Sequence, residues 1–505
     1  MRQDRQVIEL ARSVLASRTA ARPSDTGYLI YVAVLVVALV AVPAAVTIVR
    51  GLAEPEVVNA LFSPDSYRVV GMITAILAAG ALLLGRTRGA VVPTPFLTEF
   101  LAGSGLPRSD TLRRSFLTSA TVLGCCVLTT AGLVIGALCL GGEARPVSAA
   151  LFVLGCLGLS GVLAVLWLMG QSLSRRITVG LAVGIGASSL ATNIGGVLHF
   201  APWGWTALLW RSLSPGTPTL WWPVIALAVS SLALLAVPAL LNNLRSDEIM
   251  AQSRRWQSVG SLVQTGDVAG ASGILRDPPV RGRRLRMPLT GPLIWVIVQR
   301  DFTAARRFPV RIVLGSSAIV GAGWLTAPTS TVPDGVGWIT ALTGALLAYL
   351  GVGVWCDGLR NASENAGPGS MYGRTALTMI GSHAVLPASA AVVFGAAGSI
   401  GSGAPVVSMA WWTLLSVFIV LVRVLDSAKG PMPIGLLLPI PTPLGDVSIL
   451  NTLAWQADAV LIVLIVAGGL TRYAGTAGLA AALWIALAAL LVAALALRRV
   501  RALGG

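Results

Sequence analysis

Few residues in this chain are suited to chemistry, and most of them stand alone. Asp458 lies inside the apolar run 449–470, next to Trp455 and Gln456, and His383 lies inside the run 376–398, four residues before Pro387. Ion-coupled carriers place titratable groups in this way, because a proton or cation crossing hydrocarbon needs a partner within it. These two residues form the candidate intramembrane polar site. Each has a plainer alternative: an interfacial carboxylate for Asp458 and a helix-packing residue for His383.

Other chemistry finds little support. A phosphate-binding loop needs a lysine for the β- and γ-phosphates followed by a hydroxyl residue for magnesium. The only lysine is Lys429, in Ala428-Lys429-Gly430-Pro431, with no Ser or Thr after it. The chain is therefore not expected to hydrolyse ATP. A membrane-embedded hydrolase would cluster carboxylates or histidines at one face. Asp357 and Glu364 have no such company, and the other histidine, His199, is distant in sequence. Cys125, Cys126, Cys139, Cys156 and Cys356 sit within or at the ends of apolar runs and match neither a disulfide framework nor a zinc spacing. No enzymatic activity, cofactor or metal is expected.

The elements that must position these residues follow from composition. Apolar residues make up 55% of the chain and charged residues 11%, and the mean hydropathy is +0.81, far from an ordinary soluble domain. A spanning helix needs about 20 apolar residues. Runs of this kind occur at 27–49, 69–84, 116–140, 147–170, 177–198 and 223–241, and again at 312–327, 338–358, 376–398, 406–424, 449–470 and 474–497. The segment before position 27 is hydrophilic and the first run is too long for a cleavable signal, so that run is expected to stay as an anchor.

Charge sets the orientation. There are 36 basic and 20 acidic residues, a net charge of +16. If every run crosses the membrane, all the basic residues except Arg50, Arg68, Arg145, Arg211 and Arg472 fall on one side. Short arginine-rich loops stay cytoplasmic, which places both termini inside. The positive charge lies beside spans, where it matches topology and anionic headgroups. No basic module interleaved with aromatics is present, and nucleic acid is not an expected partner.

The fold class expected is all-α: a polytopic helical membrane protein of about twelve transmembrane helices in two halves of six, in the cytoplasmic membrane. Residues 1–244 form the first half, 245–288 a basic cytoplasmic linker, and 289–505 the second half. Each half opens on an amphipathic segment. In the first, Val7, Leu10, Ala11 and Val14 share a face; in the second, Ile294, Val298, Phe302 and Ala305 do, with Arg300 and Arg307 outside the stripe. Such helices lie in the interface with their apolar face in lipid. Gly180 with Gly184, and Gly351 with Gly353, are places where helices could approach closely.

Two loops add information. Between the second and third runs, a short helix carrying Phe96, Glu99, Phe100 and Leu101 would form an exposed plug suited to a cleft in another protein. Between the fifth and sixth runs, Trp203, Trp205, Trp210, Trp221 and Trp222 mark a headgroup interface or a half-inserted outer hairpin.

This layout resembles the permeases of type-2 ABC exporters, and the whole chain looks like a group of actinobacterial membrane proteins thought to be ABC-exporter-like. The resemblance rests on the amphipathic segments, on Leu106-Pro107-Arg108 leading to Arg113-Arg114, and on the Trp203–Trp222 loop. It implies elbow helices before each first span, a coupling helix at Phe96–Leu101, a second coupling position around Glu364, and a partly re-entrant last outer loop. The second half departs from the pattern, since its last outer loop, 471–473, is too short to re-enter. The implied function is the membrane subunit of an exporter working with a separate ATP-binding subunit. The alternatives are an ion-coupled carrier using Asp458 and a membrane scaffold that transports nothing.

Overall fold

The computed structural model of the chain describes residues 27, 31, 34–35, 37–63, 66–102, 106–141, 145–190, 200–214, 216–264, 268–275, 290–326, 334–366, 373–402, 406–430, 432–436, 438, 441–442, 445–446, 448–474 and 478–504. The Val7–Val14 segment, His199 and the arginine cluster 281–286 lie outside the described residues.

The architecture is all-helical apart from a two-residue antiparallel pairing of Pro441–Thr442 with Gly445–Asp446. Among the described residues, eight helices are long and apolar enough to cross a membrane, or nine if one bent pair counts as a span. They coincide with apolar runs because in hydrocarbon only a helix satisfies every backbone group within its own segment. Residues such as Val122, Leu154 and Ile225, and Val313, Val393 and Leu487, are exposed along them, as a lipid-facing surface requires.

The helices divide into two compact units, Met1–Ser261 and Leu262–Gly505. In the first, α1 (Val42–Leu52) and α2 (Pro55–Leu61) precede α3 (Ser66–Thr87), the short α4 (Pro95–Ala102), α5 (Arg108–Leu140), α6 (Pro146–Ser172) and α7 (Arg175–Leu190). Next come α8 (Pro202–Arg211), α9 (Trp222–Ser231), α10 (Val237–Asn242) and α11 (Ser246–Gln264), with a 3₁₀ turn, Leu232–Ala236, between α9 and α10. Proline opens α2, α4, α6 and α8, where its missing N–H costs nothing.

After α12 (Val268–Ile274), the second unit contains α13 (Leu293–Arg306), α14 (Pro309–Thr326), α15 (Asp334–Gly353), α16 (Asp357–Glu364) and α17 (Ala376–Gly401). It ends with α18 (Val406–Ser427), α19 (Ser448–Ala474) and α20 (Gly478–Gly504). Thr340–Gly353 and Asp357–Glu364 meet at a 65° bend. Three packing pairs recur in the two units: α3 on α7, α5 on α6 and α6 on α9 in the first, and α15 on α19, α17 on α18 and α18 on α20 in the second, although the extensive α3–α6 packing of the first is only slight between α15 and α18.

Two expectations need correction. Among the described residues nothing lies within 4 Å of where a side chain at Gly180 or Gly184 would be, so no close approach is seen there. The close approach in the first unit is instead between α3 and α6, where a methyl at Gly170 would strike the Leu82 carbonyl and one at Gly85 the Trp167 carbonyl. The apolar stripe of α13 is also split. Ile294 and Phe302 are exposed, Val298 and Ala305 pack on the core, and the buried residues are Ile297 and Asp301.

The tryptophan-rich segment folds as α8, lodged against α3, α6 and α9. The Thr74 hydroxyl lies 3.2 Å from the Trp203 carbonyl and 3.2 Å from the Thr206 hydroxyl. The Trp210 indole donates to the Leu61 carbonyl at 3.1 Å and to Ser66 at 3.2 Å. Thr74 stands about 12 Å along α3 from Ser66 at helical rise. α8 therefore runs back along α3, its start beside Thr74 and its end beside the first turn of α3.

Candidate functional site

In the first unit the site is a short helix on a braced loop. α4 turns Thr98 inward, buried, and presents Phe96 and Phe100, each 42% exposed. Their rings stack with centroids 6.4 Å apart. Glu99 is exposed beside them, and Leu101 lies in the last turn of α4.

The loop leading into α4 is fixed from two sides. Gln171, at the end of α6 and 2% exposed, accepts from the Val91 N–H at 3.1 Å and donates to the Val91 carbonyl at 2.9 Å. It also donates to Gln252 of α11 at 2.9 Å, and Gln252 donates to the Arg86 carbonyl at 3.3 Å. Ser253 donates to the Pro93 carbonyl. The Trp256 indole donates to the Thr87 carbonyl at 3.1 Å, under the Arg88 guanidinium. Trp167 donates to the Arg88 carbonyl at 2.7 Å. Six backbone groups along 86–93, the carbonyls of Arg86, Thr87, Arg88, Val91 and Pro93 and the Val91 N–H, thus have a partner on α6 or α11. α11, the start of the expected linker, is a structural brace of the first unit.

In the second unit, polar side chains gather at the end of the helices that holds the α15–α16 bend. The deepest is a pair: Asp301 of α13 and His383 of α17, 7% and 4% exposed, with Oδ2 and Nδ1 2.5 Å apart. Among the described residues Asp301 is the only buried carboxylate. It occupies the space over Gly358, where a methyl would collide with it. Pro387 cannot donate to the His383 carbonyl one turn earlier, so α17 lacks a rung where the pair joins it.

Beside this pair, Arg311 of α14 holds Asp357, the first residue of α16, through contacts of 2.5 and 3.0 Å. This fork-to-carboxylate geometry fixes orientation as well as charge. At the other end of α16, Ser363 donates to Ser427 of α18 at 3.2 Å, while Glu364 is exposed. Arg423 of α18 lies flat on the Tyr349 ring, 3.4 Å from its centroid. Its Nε donates to the Tyr349 carbonyl at 3.1 Å, and the guanidinium fills the place a side chain at Gly353 would need. The Tyr349 hydroxyl donates to Asp426 at 3.0 Å. The expected glycine pair at Gly351 and Gly353 therefore does mark a close approach, partly to an arginine.

Asp458 is not a solitary acid. Lys429 reaches its Oδ1 at 2.5 Å and Arg499 its Oδ2 at 3.5 Å. Both cations lie over the Trp455 ring, at 4.7 and 5.7 Å, and Lys429 also donates to the Trp455 carbonyl.

No family model matches the chain, and comparison with curated proteins and with solved structures finds no match.

The functional reading therefore rests on these arrangements alone. The expected residues Phe96, Glu99, Phe100 and Leu101 come together on α4, and Asp458 and His383 fall in separate clusters rather than one site. Residues missed by local pattern are Asp301, Arg311, Tyr349, Arg423, Gln171 and Gln252. Arg423 alone carried a signal, as a cation within the apolar run 406–424, which in a membrane demands a partner.

Proposed function

We propose that the chain is the membrane permease of an ABC-type exporter, driven by a separate ATP-binding subunit that docks on α4. The observation that carries this reading is a pair of stacked, exposed phenylalanines on an eight-residue helix whose leading loop is immobilised by α6 and α11. A plug of this kind transmits force only if its base cannot give, and that base is tied to α6 and α11 by six hydrogen bonds. A lipid-anchoring helix would have no need of such bracing.

In this reading about twelve helices cross the cytoplasmic membrane in two related sets, the termini and α4 face the cytoplasm, and α8 is the re-entrant element of the first set. The packing pairs that recur in the two units support paired halves that rock to alternate access. The α16 region takes the second coupling position.

An ion-coupled carrier using Asp458 draws less support. Both oxygens of the Asp458 carboxylate are engaged, one by Lys429 and the other by Arg499, so the group serves as a tie between segments rather than as an open ligand for a transported ion.

The test is co-purification from native membranes with an affinity tag on this chain. An ATP-hydrolysing subunit should be recovered stoichiometrically with the wild type and lost with Phe100→Asp, while membrane insertion stays intact. Recovery of no such subunit, or its unchanged recovery with Phe100→Asp, would remove α4 docking from the mechanism.

A further inference from the structure

We propose that α13 is a lipid-responsive lever. Its outer face engages an anionic bilayer surface, and Asp301 carries its position to α16 and α17. The clause about α16 rests on reading that helix as the second coupling position; the lever itself does not.

The outer face has a specific composition. Trp295 and Phe302 are exposed, and so are Arg300, Arg306 and Arg307, with the Arg306 guanidinium 5.9 Å from the Phe302 ring centroid. Asp301 is the one acidic residue of α13, and it is turned inward. All the outward charge is therefore positive and interspersed with large aromatic side chains. An acidic protein groove would match the arginines but not the exposed rings beside them. An anionic membrane surface matches both, apolar groups at the acyl boundary and guanidinium groups at phosphates.

The inner face supplies the transmission. Asp301 bonds to His383 of α17 and fills the space over Gly358 of α16. α16 is tied in turn to α14 through Arg311–Asp357 and to α18 through Ser363–Ser427. A shift of α13 cannot leave α16 in place without separating Asp301 from His383 or from Gly358. The missing rung below Pro387 gives α17 a place to yield at that point.

The experiment uses the full chain in nanodiscs of phosphatidylcholine alone or mixed with phosphatidylglycerol, read by hydrogen–deuterium exchange. In the wild type, phosphatidylglycerol should slow exchange in both α13 and α16 by at least about five-fold, the factor one arginine near an anionic surface contributes. Asp301→Asn and His383→Gln, which act from opposite helices, should each keep the response of α13 and lose that of α16. Replacing Arg300, Arg306 and Arg307 together by Gln should abolish both responses without touching the pair.

A wild-type α16 indifferent to lipid overturns the proposal. So does an α16 response surviving both pair substitutions, or an α13 response surviving loss of the three arginines, which would show that the guanidinium groups do not read the lipid. If one pair variant unfolds, which exchange in α18 reveals, the other decides, and the arginine variant stands apart from both. No arm involves an ATP-binding subunit, so failure here and failure of Phe100→Asp are separately legible.

Discussion

Truncating Gln171 to alanine tests whether the loop before α4 is braced as described. The side chain is 2% exposed and makes three hydrogen bonds. Its removal orphans the Val91 N–H, the Val91 carbonyl and Gln252 Oε1, with Val91 itself fully buried. An unsatisfied buried group costs about 1–3 kcal/mol. Three of them, eased by water at the Gln252 end, give a destabilisation of about 3–5 kcal/mol. Gln171→Glu keeps the acceptor for Val91 N–H but sets a buried carboxylate against the Val91 carbonyl and Gln252 Oε1, and should cost at least as much.

Gly89→Ala offers an independent approach to the same contact, since its methyl would occupy the space of the Gln171 amide. It should reproduce the defect from the opposite side. The assay is equilibrium unfolding in mixed micelles, combined with amide exchange across 86–93. Because Gln171 and Gln252 share a bond, Gln171→Ala and Gln252→Ala should be non-additive by about 1 kcal/mol. Loss of less than about 0.5 kcal/mol in Gln171→Ala, or strict additivity with Gln252→Ala, would refute the reasoning.

Arg423→Gln should destabilise the second unit by about 3–5 kcal/mol, because it leaves Asp426 without its cation and the Tyr349 carbonyl without its donor; Arg423→Lys should recover only part, lacking the flat stack on Tyr349. Asp458→Asn should lower stability by freeing Lys429 and Arg499 to repel each other, yet retain ATP-driven transport; abolition of transport with stability unchanged would favour the carrier. In a cysteine-free background, a cysteine at Asp334 should react with an impermeant reagent from outside and one at Gly282 should not, and equal labelling would overturn the assigned topology.

What could be read from the sequence tracks the range of the interactions involved. Spans such as α5 and α6 were legible because hydrocarbon thickness acts on composition alone. α4 was legible because Phe96 and Phe100 sit one turn apart beside Pro95, so exposure on one side is a local property. The contacts of α8 with Thr74 and Ser66 were not legible, because they lie far from its tryptophans in sequence. The chain also gave no local sign that the stretch after position 245 would fold back on the loop it braces, because Gln252 and Ser253 look like ordinary polar helix residues.

Asp301 shows why the rest stayed hidden. An acid beside an apolar helical stripe reads as solvent-facing, and nothing within a few residues separates water from a neighbouring helix as its environment. Its partner is 82 residues away. The partners of Asp458 stayed hidden for a related reason: Lys429, 29 residues earlier, lies across the proline-rich loop. The omission has a direction. In an apolar chain, a lone charge within a span prompts a search for an ion-coupling site, yet the same desolvation cost makes a distant counter-charge the commoner remedy. Asp301 has found such a remedy in His383, and Asp458 in Lys429 and Arg499, while Arg423 takes Asp426 from its own helix and reaches α15 through the Tyr349 carbonyl. The polar layer is therefore first a set of ties among helices, and its bearing on function lies in which helices it obliges to move together.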